Sequence, residues 1–291
     1  MVRYCDPRHT LSRQVQAFGR LFRWPVGLFA GLAGCATIYS LDSSTPFASY
    51  WLTAVVLSCM YSAACAINDY WDVDTDRINH PDRPLPSGRL TQQQARMGAT
   101  SLFAVAAIAA LLLGLMPFVW VAVAIPLLWY YSQIVKYSGI LGNVIVAIFV
   151  AALIVFAGLV VHRPLALLPA TGMLSIYQWV KEIIWDVRDA TGDGARGITT
   201  IATRWGGQTA LAIAWGAMAG LSGSIPIAPI VVPMAHPVWF ASCTTAMITS
   251  LAIALAGSGG VPAAIADRQF TILERLSMVF GILSLLGAAP R

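Results

Sequence analysis

Charge is what this sequence has least of. Aspartate, glutamate, lysine and arginine supply only 11% of its 291 residues, and lysine occurs just twice, as Lys136 and Lys181. A soluble domain of this length does not need 58% hydrophobic residues and a mean hydropathy of +0.71 to fill a core, so lipid is the solvent for most of the chain. Paired cysteine chemistry is missing too. Cys5, Cys35, Cys59, Cys65 and Cys243 are odd in number, form no C-x-x-C, and four of them lie in apolar segments, which argues against a disulfide framework or a thiolate metal site. There is no low-complexity segment and no stretch long enough for a separate soluble domain, so residues 1–291 read as a single transmembrane domain.

What is there is a series of apolar runs. They fall near 22–41, 50–68, 94–115, 118–136, 139–161, 165–187, 207–233, 237–257 and 269–288, each close to the roughly twenty residues that cross a bilayer. With no water to satisfy the backbone, such runs must be helical, so the expected fold class is an all-α, polytopic membrane protein of about nine transmembrane helices. Arg3, Arg8, Arg13, Arg20 and Arg23 stand before or at the start of the first run, which has no clean cleavage site and reads as a retained helix and not a signal peptide. Alternate connections carry Arg77, Arg83, Arg89 and Arg96, then Lys136, then Arg188, Arg196 and Arg204, then Arg268; the opposite ones carry only Arg163. That asymmetry predicts a cytoplasmic N-terminus, and polar segments 69–93 and 188–206 on the same side. The net charge of +5 then serves as a membrane anchor, with no nucleic-acid partner implied.

The few acids are concentrated. Five of the thirteen are Asp69, Asp72, Asp74, Asp76 and Asp82, and four more are Glu182, Asp186, Asp189 and Asp193. Asn68, Asp72 and Asp76 stand at i, i+4 and i+8, and Glu182, Asp186, Asp189 and Asp193 at i, i+4, i+7 and i+11, so each set occupies one helix face. Like charges so placed repel, and at a membrane edge they call for a cation. All-oxygen ligands favour Mg²⁺, which shares its coordination with waters and substrate phosphates. Arg77, Arg83, Lys136, Lys181, Arg188 and Arg196 are the complementary charges for a phosphate-bearing substrate.

The stretch Asn68-Asp69-x-x-Asp72-x-x-x-Asp76, continued by Arg77-Ile78-Asn79-His80-Pro81-Asp82-Arg83-Pro84, resembles the first signature of the UbiA superfamily of intramembrane prenyltransferases. Tyr177-x-x-x-Lys181-Glu182-x-x-x-Asp186-x-x-Asp189-x-x-x-Asp193 is similar to the second, and Tyr131 to Lys136 with Leu141-Gly142-Asn143 to a weaker block between them. The resemblance implies nine helices around a lipid-facing cavity that binds a prenyl diphosphate. It implies Mg²⁺ on Asn68, Asp72, Asp76, Asp186, Asp189 and Asp193, with the five aspartates as the catalytic set. Arg77, Arg83, Lys136 and Lys181 are implied as diphosphate contacts, and Tyr131, Tyr177 and Asn143 as wall or phosphate contacts.

The acceptor stays open. The loop Asn79 to Gly88 and the run Lys181-Glu182-Ile183-Ile184 look most like the digeranylgeranylglyceryl phosphate synthases, whereas Arg23-Trp24-Pro25-Val26-Gly27 looks like members with aromatic acceptors. Arg23, Glu182 and Asp186 are the polar groups available to hold an aromatic or lipid-precursor acceptor. Two alternatives remain at this point: a terpene cyclase, which would ionise the same donor without an acceptor, and a transporter, against which the carboxylates' place at helix ends and not mid-membrane argues.

Overall fold

The structure is a computed structural model and describes residues 7–134 and 138–291. Thirteen helices are described. The first two are α1 (Pro7–Leu21) and α2 (Trp24–Leu41), followed by α3 (Phe47–Asn79), α4 (Gln92–Leu113), α5 (Leu115–Ile134) and α6 (Gly139–Val160). Then come α7 (Leu168–Ala195), α8 (Ile201–Trp205), α9 (Gly207–Ser224), α10 (Ala228–Val231), α11 (Pro237–Ser258), α12 (Pro262–Ile265) and α13 (Arg268–Leu285). The protein is an all-helical, multi-pass membrane protein. Five helices, α2, α3, α4, α6 and α11, are long and apolar enough to cross a bilayer by length and composition alone.

Each expected apolar run overlaps a helix, with informative differences. The run 207–233 is not one helix: α9 stops at Ser224, and only the four-residue α10 follows, because Pro226 and Pro229 interrupt the hydrogen-bond ladder. The polar segments 69–93 and 188–206 begin as continuations of the spanning helices, helical through Asn79 and Ala195, as the spacing of their carboxylates predicts. At 1.5 Å per residue the 33-residue α3 is roughly 50 Å long and the 28-residue α7 roughly 42 Å, against a hydrocarbon layer of about 30 Å. Their acidic turns are the overshoot.

Two clusters of buried side chains organise the bundle. One joins α1, α3, α4 and α5, and the other joins α7, α9, α11 and α13, with α2 and α6 contributing to both. Small residues bring α2 against α3: a Cβ on Gly27 would lie 2.7 Å from Ser62 Oγ, and one on Gly31 2.6 Å from Ser58 Oγ. In lipid, where burial of apolar surface adds little between helices, such close backbone approach is the main source of helix association.

Candidate active site

Between the two clusters lies a cavity of about 480 Å³. Roughly 28 Å of helix rise separates Leu57 from Asp76, both of which line it on α3, so it is elongated along that helix. Its apolar part is lined by residues such as Phe29, Leu57, Val121, Phe149, Phe156 and Met247. Its polar end collects both acidic faces: Asn68, Asp72 and Asp76 from α3 meet Glu182, Asp186, Asp189 and Asp193 from α7. Arg23, Arg83, Tyr131, Asn143, Tyr177 and Lys181 line the same cavity.

Each charge in this end has a partner in place. Arg83 Nη1 donates to both oxygens of Asp76 at 2.8 Å, and lies 3.4 Å from Asp69 Oδ1. Arg23 Nη2 donates to Asp69 at 2.9 Å. Arg23, which with Phe22 joins α1 to α2, sits in the left-handed region at φ 47°, a strained conformation for a side chain of this size. On α7, Arg188 grips Asp189 with two hydrogen bonds of 2.7 Å, and His80 Nε2 is 3.2 Å from the same carboxylate. Asn143 donates to Asp186 at 2.7 Å, and Gln178 to Glu182 at 2.6 Å. Asn68, Asp72 and Asp193 are likewise engaged. Among the described residues, no three His, Cys, Asp or Glu side chains are already gathered as a metal-ligand group.

Asn79 sets the spacing between the acidic faces. Its Nδ2 donates to the Asp189 carbonyl at 2.9 Å, and its Oδ1 accepts from the Gly192 amide at 2.8 Å. A Cβ on Gly192 would fall on the Asn79 carboxamide, so only glycine admits this clamp.

The remaining expected residues take the following places. Arg77 is outside the cavity, 65% exposed and bonded to Asp74 at 2.8 Å, because it stands one position past Asp76 and so about 100° round the helix. Lys181 is buried and ion-paired with Glu274 of α13, with its ammonium 4.8 Å from the Trp185 ring centre. The Tyr177 hydroxyl is bonded to Ser277, and Tyr131 donates to the Gly142 carbonyl at 3.0 Å, so both phenols are engaged with the wall. Lys136 lies outside the described residues. Sequence reasoning assigned no role to Asp69, Asn79 or Glu274. Asp69 falls off the i, i+4 face, Asn79 looks like a loop residue, and Arg275 beside Glu274 masks a lone acid in an apolar span.

A second, smaller cavity of about 340 Å³ adjoins this end, lined by Arg20, Arg23, Asp69, Asn79, His80, Pro81, Asp82, Arg83 and Pro84. Arg23, Asn79, His80 and Arg83 face both cavities.

The family model of the UbiA prenyltransferase family matches residues 27–264. A digeranylgeranylglyceryl phosphate synthase of Methanopyrus kandleri is 31% identical over 237 residues, 81% of this chain and 86% of that protein. Among solved structures, the apo form of a UbiA homologue from Aeropyrum pernix K1 superposes with a TM-score of 0.73 at 17% identity, over 90% of this chain and 96% of that one. A UbiA homologue from Archaeoglobus fulgidus, bound to GPP and Mg²⁺, superposes with a TM-score of 0.69 at 16% identity, over 92% and 99%.

Proposed function

The chain belongs to the UbiA prenyltransferase family, and from that premise we propose that residues 1–291, as one domain, move a prenyl group from a prenyl diphosphate to the hydroxyl of a glycerol-phosphate lipid precursor. The observation that carries this is the meeting of two acidic helix faces, more than a hundred residues apart in sequence, at the mouth of one apolar cavity. The name of the M. kandleri relative supports the acceptor class, and the ligands of the A. fulgidus homologue support the donor and Mg²⁺.

The donor set fits Mg²⁺. Asn68, Asp72 and Asp76 face Asp186, Asp189 and Asp193 with hard oxygen atoms only, and without a preassembled cage they would hold the ion jointly with substrate phosphates. When bound, Mg²⁺ neutralises charge on the departing diphosphate. Arg83 adds a guanidinium beside Asp76; Arg77, on the outer face, has no part in this reading. The prenyl tail lies along the apolar wall, which excludes water from the allylic cation formed as the bond from the first carbon to the diphosphate oxygen breaks. The acceptor oxygen bonds to that carbon, and its proton passes to Asp186 or Glu182. The membrane face carrying the acidic end is the cytoplasmic one in this reading.

The test uses purified protein in detergent with labelled geranylgeranyl diphosphate, with and without geranylgeranylglyceryl phosphate. Diphosphate release that requires both Mg²⁺ and the acceptor, and that falls about a hundredfold or more in Asp72→Asn and Asp189→Asn, is the expected result. Steady formation of a cyclic hydrocarbon or alcohol from the donor alone would establish a cyclase instead, and full turnover in excess chelator would remove the metal.

A further inference from the structure

The second cavity has a charge imbalance. Three guanidinium groups, of Arg20, Arg23 and Arg83, face it together with two carboxylates, of Asp69 and Asp82. Asp69 is 2% exposed and shared between Arg23 and Arg83, and Arg83 is further held by Asp76, which faces the main cavity. Arg20, in the last turn of α1, has no carboxylate partner among the described residues. With Asp69 on Arg23 and Asp76 on Arg83, the guanidinium of this lining left to meet an anion is that of Arg20, which is exposed. Arg23, which faces both cavities, keeps its left-handed backbone while its guanidinium is held on Asp69 of the smaller one. Strain of this kind is retained where the surrounding structure gains by it.

From this the geometry points to the smaller cavity as the seat of the acceptor's phosphate, a phosphomonoester anion held by Arg20 and Arg23 with His80 beside it. The inference rests on the proposed acceptor class and locates its headgroup. In a glycerol phosphate, two carbons separate a neighbouring hydroxyl oxygen from the phosphate ester oxygen, so an anion seat useful for transfer must share a wall with the site of the donor's first carbon. Arg23, Asn79, His80 and Arg83 are that shared wall. Planar guanidinium groups suit phosphate oxygens through paired, charge-assisted hydrogen bonds. Donor diphosphate and acceptor phosphate then occupy opposite sides of the Arg23–Asp69–Arg83 chain, which keeps the two anions apart and screens one from the other.

Two measurements on the full chain in detergent test this. In the first, binding is measured without donor by calorimetry, using geranylgeranylglyceryl phosphate, geranylgeranylglycerol lacking the phosphate, and inorganic phosphate. In the second, transfer is followed under steady state. The expected results are that the phosphorylated lipid binds at least about tenfold more weakly to Arg20→Gln than to wild type, the loss of one charged hydrogen bond, and that acceptor KM rises by more than donor KM. Arg20→Lys, which keeps the charge, should recover part of the affinity. Equal affinity of wild type and Arg20→Gln, or equal binding of the lipid without its phosphate, overturns the assignment. So does Arg20-dependent binding of inorganic phosphate without Arg20-dependent binding of the lipid, which would make the cavity a seat for free phosphate. If the lipid binds through Arg20 but no transfer follows, the seat stands and the proposed function fails; transfer that is indifferent to Arg20 has the reverse meaning.

Discussion

Lys181 and Glu274 have almost no contact with solvent, and an ion pair so placed holds together only while both members remain. Removing one leaves an uncompensated charge among Tyr177, Trp185 and the apolar wall, at a cost of about 3–5 kcal/mol. Glu274→Ala should therefore lower stability by that order in denaturation measured in detergent, and Lys181→Met with Glu274→Leu should recover most of it. A double variant as unstable as Glu274→Ala alone would mean that the two groups act separately. The pair also adds to what Lys181 is: the sequence resemblance implies a diphosphate contact, and packing of α13 against α7 gives it a carboxylate partner inside the bundle.

At the level of elements, the acidic faces owe their register to one carboxamide. Asn79 ends α3 and bonds both sides of the last turns of α7, over a glycine that leaves it room. Gly192→Ala puts a methyl group onto that side chain, and the resulting overpacking should cost about 1–3 kcal/mol. Asn79→Ala gives up two hydrogen bonds, about 1 kcal/mol each. Because Asn79→Ala also clears the space that the new methyl group needs, the double variant should lose less than the two single losses added together, a coupling readable from a thermal-unfolding cycle. Strict additivity would show that the clamp does not set the spacing. The i, i+4 and i+7 pattern made each face legible in the sequence; that the faces meet, and at what separation, depends on Asn79, whose reading as a loop residue hid it.

For the whole molecule, the arginine asymmetry and the long helices lead to one topology. The connection from His80 to Thr91 and the turn from Arg196 to Thr200 should both lie on the cytoplasmic side. After replacement of the native cysteines, single cysteines at Ser87 and Thr199 should both escape an impermeant reagent in intact cells and both react with it in inverted vesicles. Labelling from opposite sides would separate the two acidic ends and dissolve the site.

Composition and periodicity alone determined that this chain lives in lipid, that its helices recur at bilayer length, and that two short stretches carry nine of the thirteen acids. Those properties are local: solvation of apolar runs and repulsion of carboxylates on one face are decided within a few turns of helix. Which charges are paired was not local. Arg23 to Asp69, Arg83 to Asp76, Asn79 to Gly192 and Lys181 to Glu274 each join different segments, across sequence separations from seven residues to more than a hundred. Only the packed bundle, by choosing which helix ends come together, decided that Asp69 faces the smaller cavity, and that Arg20 is the one of the three arginines lining it without a carboxylate partner among the described residues.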